Sequence, residues 1–192
     1  MLFLHGEKVV EDIEDGVRFM KKHPEIDDDF SYFEMTRAEK MEHWWKKFNV
    51  VMKDDEYHRY FTKHAERTTD ASWSWSYLYH GASPLHLHQS MFTKTLIFFA
   101  SDSQRAEWLP QATHLKVIGC YAQTELGHGS NVQGLETTAK FDLKNDQFII
   151  HTPNIRATKF WPGSLGVMAN HAIVFARCIV DENDYGVQPY IV

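Results

Sequence analysis

The sequence predicts an α+β fold in which helices come first and strands follow. Three observations predict it. Apolar residues recur at helical spacing through the first part of the chain. Short β-branched runs separated by turn signals fill the rest. The two kinds of segment do not alternate, which argues for segregated units rather than a βαβ array. The change of character near Leu115 sets the expected domains: a helical amino-terminal unit over residues 1–112 and a β-unit over residues 113–192.

The helices are read in order. Val9, Ile13, Val17 and Met20 share a face in a charged stretch. His23-Pro24 ends that helix, because proline disfavours helical geometry in the residue before it. An acidic linker, Asp27 to Asp29, follows. Thr36 with Glu39 three positions on has capping-box spacing and starts a helix running to about Val51, with Met41, Trp44, Trp45 and Phe48 on or near one side. Lys53 to His64 reads as another short helix. Thr68 to Tyr79 places Trp73, Trp75, Tyr77 and Tyr79 at alternate positions, a strand pattern. Its neighbours are helical, so the segment is read as irregular or helical. Pro84 opens an apolar stretch, Leu85 to Ala100, expected as a buried helix, and Ser103 to Pro110 gives one more short helix.

The strands begin with Lys116 to Ala122. Thr137–Phe141 and Gln147–His151 flank Leu143-Lys144-Asn145-Asp146, a turn signal that predicts a hairpin. Ala172 to Val180 is apolar and β-branched, and Val187 to Val192 is a last strand. The chain stops at Pro189-Tyr190-Ile191-Val192, which reads as the middle of a strand. The expectation is a truncated gene product or a partial gene model.

Composition excludes several function classes. With 43% hydrophobic and 24% charged residues the chain is of ordinary soluble, globular type. The net charge of −6 argues against non-specific nucleic-acid binding, which needs dense Lys and Arg on one face. Lys21-Lys22 and Lys46-Lys47 read as solvated helix faces. Aromatic residues make up 14%, six of them Trp, which calls for bulky buried side chains or flat ligand-contacting surfaces. Cys120 and Cys178 sit in apolar runs without metal spacing and read as buried thiols. The opening MLFLHGEKVV has too short an apolar run for a signal peptide. Thr93 to Ala100 is far short of the roughly 20 residues that span a bilayer, so no transmembrane segment is expected. Of the twelve His, His86 and His88 form the tightest pair, with His64 and His80 upstream. Positions i and i+2 of a helix point apart, so no metal site is expected.

Two stretches carry the chemistry. Tyr121 to Ser130 follows a strand and combines two glycines with hydroxyls and an amide. Glycines let backbone N–H groups approach a ligand, and hydroxyls donate to carbonyl or phosphate oxygens. The loop suits a polar, partly anionic ligand, or is a plain β-loop. Its G-x-G is not a dinucleotide fingerprint. Lys159 to Gly166 sets aromatic rings beside a Pro-Gly turn, either a seat for a flat heterocycle or a hydrophobic turn anchor.

Together these stretches resemble a known family. CYAQTELGHGSNVQGLETT (Cys120 to Thr138) is similar to the flavin-loop segment of peroxisomal-type acyl-CoA oxidases, in the acyl-CoA dehydrogenase/oxidase superfamily. KFWPGSLGVMANHAIVFA (Lys159 to Ala176) resembles a second family motif: Lys, two Trp, Pro and two Gly, then Asn-His-Ala-Ile-Val. A weaker match, SPLHLHQSMFTKTL (Ser83 to Leu96), resembles the family's Leu-His-Leu helix. The resemblance covers essentially the whole chain. It implies a helical amino-terminal domain followed by an antiparallel β-domain that holds FAD. Thr124 matches the flavin-loop Thr that hydrogen-bonds the isoalloxazine. Gly163 matches the Gly whose backbone approaches the flavin, and Trp161 the second Trp, packed near the ring. Gly127, Gly129 and Ser130 fall in the segment expected near the cofactor or the thioester end of the substrate. Phe160 stands where the family has the first Trp, and Ser164 where it has the second Gly. If that last position needs positive φ, Ser costs about 1 kcal/mol.

The resemblance further implies oxidation of acyl-CoA to trans-2-enoyl-CoA in fatty-acid β-oxidation, with electrons passed to O₂ to give hydrogen peroxide. It implies a peroxisomal location and a homodimer for the full-length family. The family's base is a Glu in a carboxy-terminal helical region beyond residue 192. No catalytic residue is therefore expected in this chain, and the chain alone is expected to be inactive. Glu125 and Glu136 gain no catalytic role from the resemblance, and Glu125 reads as structural. The alternative is an inactive remnant serving as a flavin-binding or interaction module.

Overall fold

The computed structural model describes residue 3 and residues 6–26, 31–55 and 83–192. The Asp27 to Asp29 linker, most of the Lys53 to His64 helix, the Thr68 to Tyr79 alternation, and His64 and His80 lie outside the described residues. The chain divides into two compact units, Met1–His86 and Leu87–Val192. Compactness thus divides the chain earlier than composition does. The helices of residues 88–113 bury Phe92, Leu96 and Ala112 in the same core as the strand residues Ile173 and Phe175.

In the first unit, α1 (Glu7–Lys22) ends where His23 leaves helical geometry, and a 3₁₀ turn at Pro24–Ile26 follows. The short α2 (Ser31–Glu34) precedes α3 (Arg37–Lys53). The expected capping box is present. The Thr36 N–H donates to Glu39 Oε2 (2.7 Å) and the Glu39 N–H to Thr36 Oγ1 (3.3 Å). These bonds satisfy amides that the first helical turn leaves unpaired. Trp44 and Phe48 are buried with stacked rings 5.0 Å apart. Asp54, just past α3, accepts from Lys22 Nζ (2.9 Å) and meets His23 Nε2 (3.2 Å), tying that end to the close of α1.

The second unit starts with a helical segment that is not regular. A π-turn at His88–Phe92 runs into α4 (Thr93–Phe99). Its burial is one-sided: Phe92 and Leu96 are buried, whereas Phe98 and Phe99 are exposed. The continuous apolar run Leu96 to Ala100 therefore overstates burial. α5 (Asp102–Thr113) is capped by Ser101 and Gln104 in a reciprocal box and contains Pro110 in its last turn. No helix among the described residues is long and apolar enough to cross a membrane.

The strands are β1 (Gly119–Ala122), β2 (Thr138–Asp142), β3 (Gln147–His151), β4 (His171–Val180) and β5 (Asn183–Ile191). The α+β organisation is as expected, and the sheet is mixed. β2–β3 and β4–β5 are antiparallel, while β1–β4 and β2–β4 are parallel. The predicted hairpin is β2–β3. Asp142 caps its turn by accepting from the Lys144 amide (3.1 Å) and the Asn145 side chain (2.7 Å). A second tight turn, Asp181-Glu182, has both residues at positive φ (50° and 62°), the geometry that matches strand twist.

β4 organises the sheet. β5 lines one of its edges from Ile173 to Val180. The other edge is shared: β1 covers His171 to Val174, and β2 covers Arg177 to Ile179. Between them, at Phe175 and Ala176, neither strand pairs. The chain that fills this gap comes from the loops after β1 and β3.

Gly119, the first residue of β1, has no room for a side chain, because a Cβ there would fall on the Phe92 ring. Gly119→Ala is expected to destabilise the chain by about 1–3 kcal/mol through overpacking. Urea unfolding checks this.

Candidate flavin-facing site

Beyond β1 the first motif lies along the second. Residues 121–126 run antiparallel to residues 158–162. The Tyr121 N–H donates to the Pro162 carbonyl (3.0 Å), the Phe160 N–H to the Thr124 carbonyl (2.8 Å) and the Leu126 N–H to the Thr158 carbonyl (3.0 Å). Glu125 and Lys159 are bridge partners. Two motifs more than thirty positions apart thus form one ribbon. At its tip Glu125 and His128 exchange two backbone bonds of 3.1 Å each, so Leu126 and Gly127 make the turn.

The inward-facing pair of the ribbon is ionic. Glu125 is 2% exposed. Its carboxylate accepts from the amides of Glu136 (2.8 Å) and Thr137 (2.9 Å), the Thr137 hydroxyl (2.6 Å) and Lys159 Nζ (3.1 Å). Lys159 also donates to the carbonyls of Gln123 (3.1 Å) and Phe175 (2.6 Å). Phe175 is where β1 and β2 leave the edge of β4 uncovered, so the ammonium occupies the gap. Burial opposes the Glu125 charge. The donors from Glu136, Thr137 and Lys159 together outweigh it and hold the carboxyl below the usual range. Burial pulls the Lys159 ammonium down, and Glu125 opposes that shift.

A second cluster pins the loop farther out. Glu136 meets His128 Nε2 at 2.8 Å, accepts from the Asn154 amide at 2.6 Å and lies 3.6 Å from Arg156 Nε. The Asn154 side chain holds its carboxyl low, helped by His128 and Arg156. Asn154 in turn caps the 3₁₀ turn Ile155–Ala157 through the Arg156 and Ala157 amides.

The second motif then makes a left-handed corner. Trp161 (φ 41°), Gly163 (66°), Ser164 (55°) and Gly166 (73°) all have positive φ. The Ser164 carbonyl gathers the amides of Val167, Met168 and Ala169 at 3.0–3.1 Å. A Cβ at Gly163 would fall on the Leu87 side chain. Asn170 closes the corner onto the approach to β1: its Oδ1 accepts from the Ile118 amide (2.8 Å) and its Nδ2 donates to the Lys116 carbonyl (3.1 Å). Position 164 does adopt positive φ, so Ser carries the conformational cost of about 1 kcal/mol there, yet the corner forms.

Across the ribbon Thr124 stands opposite Phe160, Trp161 is the next residue, and Gly163 lies two residues beyond it. Thr124 is half-buried, and its hydroxyl bonds no other described residue. Trp161 is 72% exposed, its ring 5.1 Å from that of Phe160. Gly127 is spent on the fold. Its N–H donates to the Arg156 carbonyl (2.8 Å), and a Cβ would come 3.0 Å from that of Arg156. Gly129 and Ser130 lie beyond the turn and are exposed.

Sequence reasoning gave no role to Lys159, the first residue of the second motif. A lone cation opening an apolar, aromatic run was the available signal. In the sequence His88 stands out as half of a histidine pair and within the Leu-His-Leu match, neither of which assigns it a role. It is buried while His86 is exposed, and among the described residues no group of His, Cys, Asp or Glu could hold a metal ion. Cys120 is buried and its thiol is pushed up by that burial, while Cys178 is half-buried.

The family model of the acyl-coenzyme A oxidase N-terminal region matches residues 2–118. The chain belongs to the acyl-CoA oxidase family. It is 54% identical over 106 residues to peroxisomal acyl-coenzyme A oxidase 1 of Arabidopsis thaliana, covering 55% of this chain and 16% of that protein. It is 38% identical over 170 residues to acyl-coenzyme A oxidase acox-1.2 of Caenorhabditis elegans, covering 87% and 25%. The crystal structure of acyl-CoA oxidase-1 of C. elegans, complexed with FAD and ATP, superposes with a TM-score of 0.81 at 34% identity over 97% of this chain and 28% of that one. The acyl-CoA oxidase of tomato gives 0.80 at 35% identity over 100% and 28%. The chain thus spans about a quarter or less of the two curated relatives.

Acid should loosen this site. The folded pKa of Glu125 lies below its unfolded value near 4.3, so its contribution is complete above that value. It is lost as pH falls through the unfolded pKa towards the folded one. Glu125→Gln is expected to cost about 3–5 kcal/mol at neutral pH, by leaving Lys159 unpaired. It should also flatten the acid limb. Denaturant unfolding between neutral and acid pH checks both.

Proposed function

We propose that this chain is the flavin-holding front portion of an FAD-dependent acyl-CoA oxidase. That enzyme oxidises acyl-CoA to trans-2-enoyl-CoA and passes the electrons to O₂, in peroxisomal fatty-acid β-oxidation. One observation carries the reading: the two family motifs form a single hydrogen-bonded ribbon that ends in a left-handed corner, with Thr124 paired to Phe160 and the exposed Phe160 and Trp161 rings beside each other. A relative over nearly the whole chain is solved with FAD. Relatives from Arabidopsis and guinea pig are named peroxisomal, which supports the location.

The residues present fit a flavin. Thr124 offers a half-buried hydroxyl for a polar ring edge. Trp161 and Phe160 offer flat apolar faces. Gly163 lets the corner's backbone come close, and Leu87 behind it keeps the corner from retreating. Gly129 and Ser130 are free for the more distant part of the cofactor or for the thioester, whereas Gly127 contributes through the turn alone. When bound, FAD supplies the hydride acceptor. The chain's own part is to bind and orient the ring and to shield one side from water. The base that removes the α-proton belongs to a carboxy-terminal region in this reading, so none of Glu125, Glu136 or the described His is assigned that role. The Glu125 carboxylate, with four donors already on it, is committed to structure.

Reconstitution with FAD tests the reading. The expected result is a stoichiometric flavin absorbance in the purified chain. Thr124→Val should weaken retention by about 1–3 kcal/mol, as a buried polar edge loses its partner. A colourless wild type, or unchanged retention in the variant, would contradict the assignment.

A further inference from the structure

Among the described residues, His88 is the buried histidine that the proposed mechanism does not use. It opens the π-turn before α4, and its ring bridges two elements. Nδ1 accepts from the Gly119 N–H (3.0 Å), and Nε2 donates to the Ala112 carbonyl (3.0 Å). An amide on one nitrogen and a carbonyl on the other allow one tautomer, neutral with its proton on Nε2. Burial disfavours the imidazolium in the same direction. The Thr93 hydroxyl donates to the His88 carbonyl (2.9 Å), and the ring stacks on Phe92 at 5.6 Å.

The neighbours of His88 reach the same ribbon. Leu87 packs against Gly163, and Phe92 covers Gly119. One irregular turn of helix therefore touches the start of β1 twice and the corner of the second motif once. π-Turns within helices are uncommon and concentrate at functional sites.

We propose that His88 is a positioning residue. Through the Gly119 amide it fixes where β1 begins, and so sets residues 121–126 in register with residues 158–162. Its consequence for FAD rests on the flavin reading above; its effect on the ribbon does not.

Hydrogen exchange on the full chain, with and without FAD, tests this. His88→Leu is expected to speed exchange of the Gly119, Tyr121 and Phe160 amides about tenfold, the loss of roughly one buried hydrogen bond. The β2–β3 hairpin should exchange at its wild-type rate. His88→Gln can donate and accept as the imidazole does, and should restore most of the protection. With FAD, the Leu variant should bind about tenfold more weakly and the Gln variant near normally.

Wild-type exchange at Tyr121 and Phe160 in the Leu variant would overturn the proposal. So would a Gln variant as unprotected as Leu, which would leave packing as the whole effect. Faster ribbon exchange with unaltered FAD affinity would overturn the link to the flavin. If the wild type takes up no FAD, the flavin reading fails and the exchange rates alone judge His88. If the Leu variant does not fold, ¹⁵N spectra of the wild-type imidazole decide: a protonated Nε2 with bare Nδ1 supports the proposal, and the opposite tautomer or an imidazolium at neutral pH overturns it.

Discussion

The Glu125–Lys159 pair holds the second unit's architecture together. β4 has one edge shared by β1 and β2, and a shared edge leaves a break. A backbone carbonyl facing into such a break needs a donor. Lys159 supplies it at Phe175 and also meets Gln123 as that strand departs. Glu125 neutralises the ammonium and collects the Glu136 and Thr137 amides just before β2 begins. Buried pairs often fail to recover their desolvation cost. This one satisfies backbone groups from three segments, a task that two apolar side chains of similar volume could not perform.

The left-handed corner depends on that knot. With Lys159 fixed and the Pro162 carbonyl bonded to Tyr121, the chain turns at once at the end of the ribbon on its way to β4. It turns through four left-handed residues within six positions, two of them not glycine. Strain of this kind persists only where the surroundings over-determine it. Here the surroundings are the ribbon on one side, Leu87 behind Gly163, and Asn170 bonded to the approach of β1.

Local signals were the legible part of the sequence. The Thr36 box, the His23-Pro24 stop and the β2–β3 turn all act over four or five residues, and each appears where it was read. The organisation into helices then strands was legible too, and the two motifs that carry Thr124, Trp161 and Gly163 run side by side. Three things were not. The parallel pairings of β1 and β2 with β4 join residues more than thirty positions apart, and no local pattern encodes them. The grouping of the helices of residues 88–113 with the sheet depends on Phe92, Leu96 and Ala112 reaching a distant core. Gly127 looked like a ligand-facing glycine, yet its N–H and its missing Cβ serve Arg156 across the ribbon.

A double-mutant cycle on Glu125→Gln and Lys159→Met, read by denaturant unfolding at neutral pH, measures the central claim. If the two side chains act as one unit, the double variant should be less destabilised than the sum of the singles by about 2 kcal/mol. Additivity within about 0.5 kcal/mol would mean that the pair does not couple the two motifs.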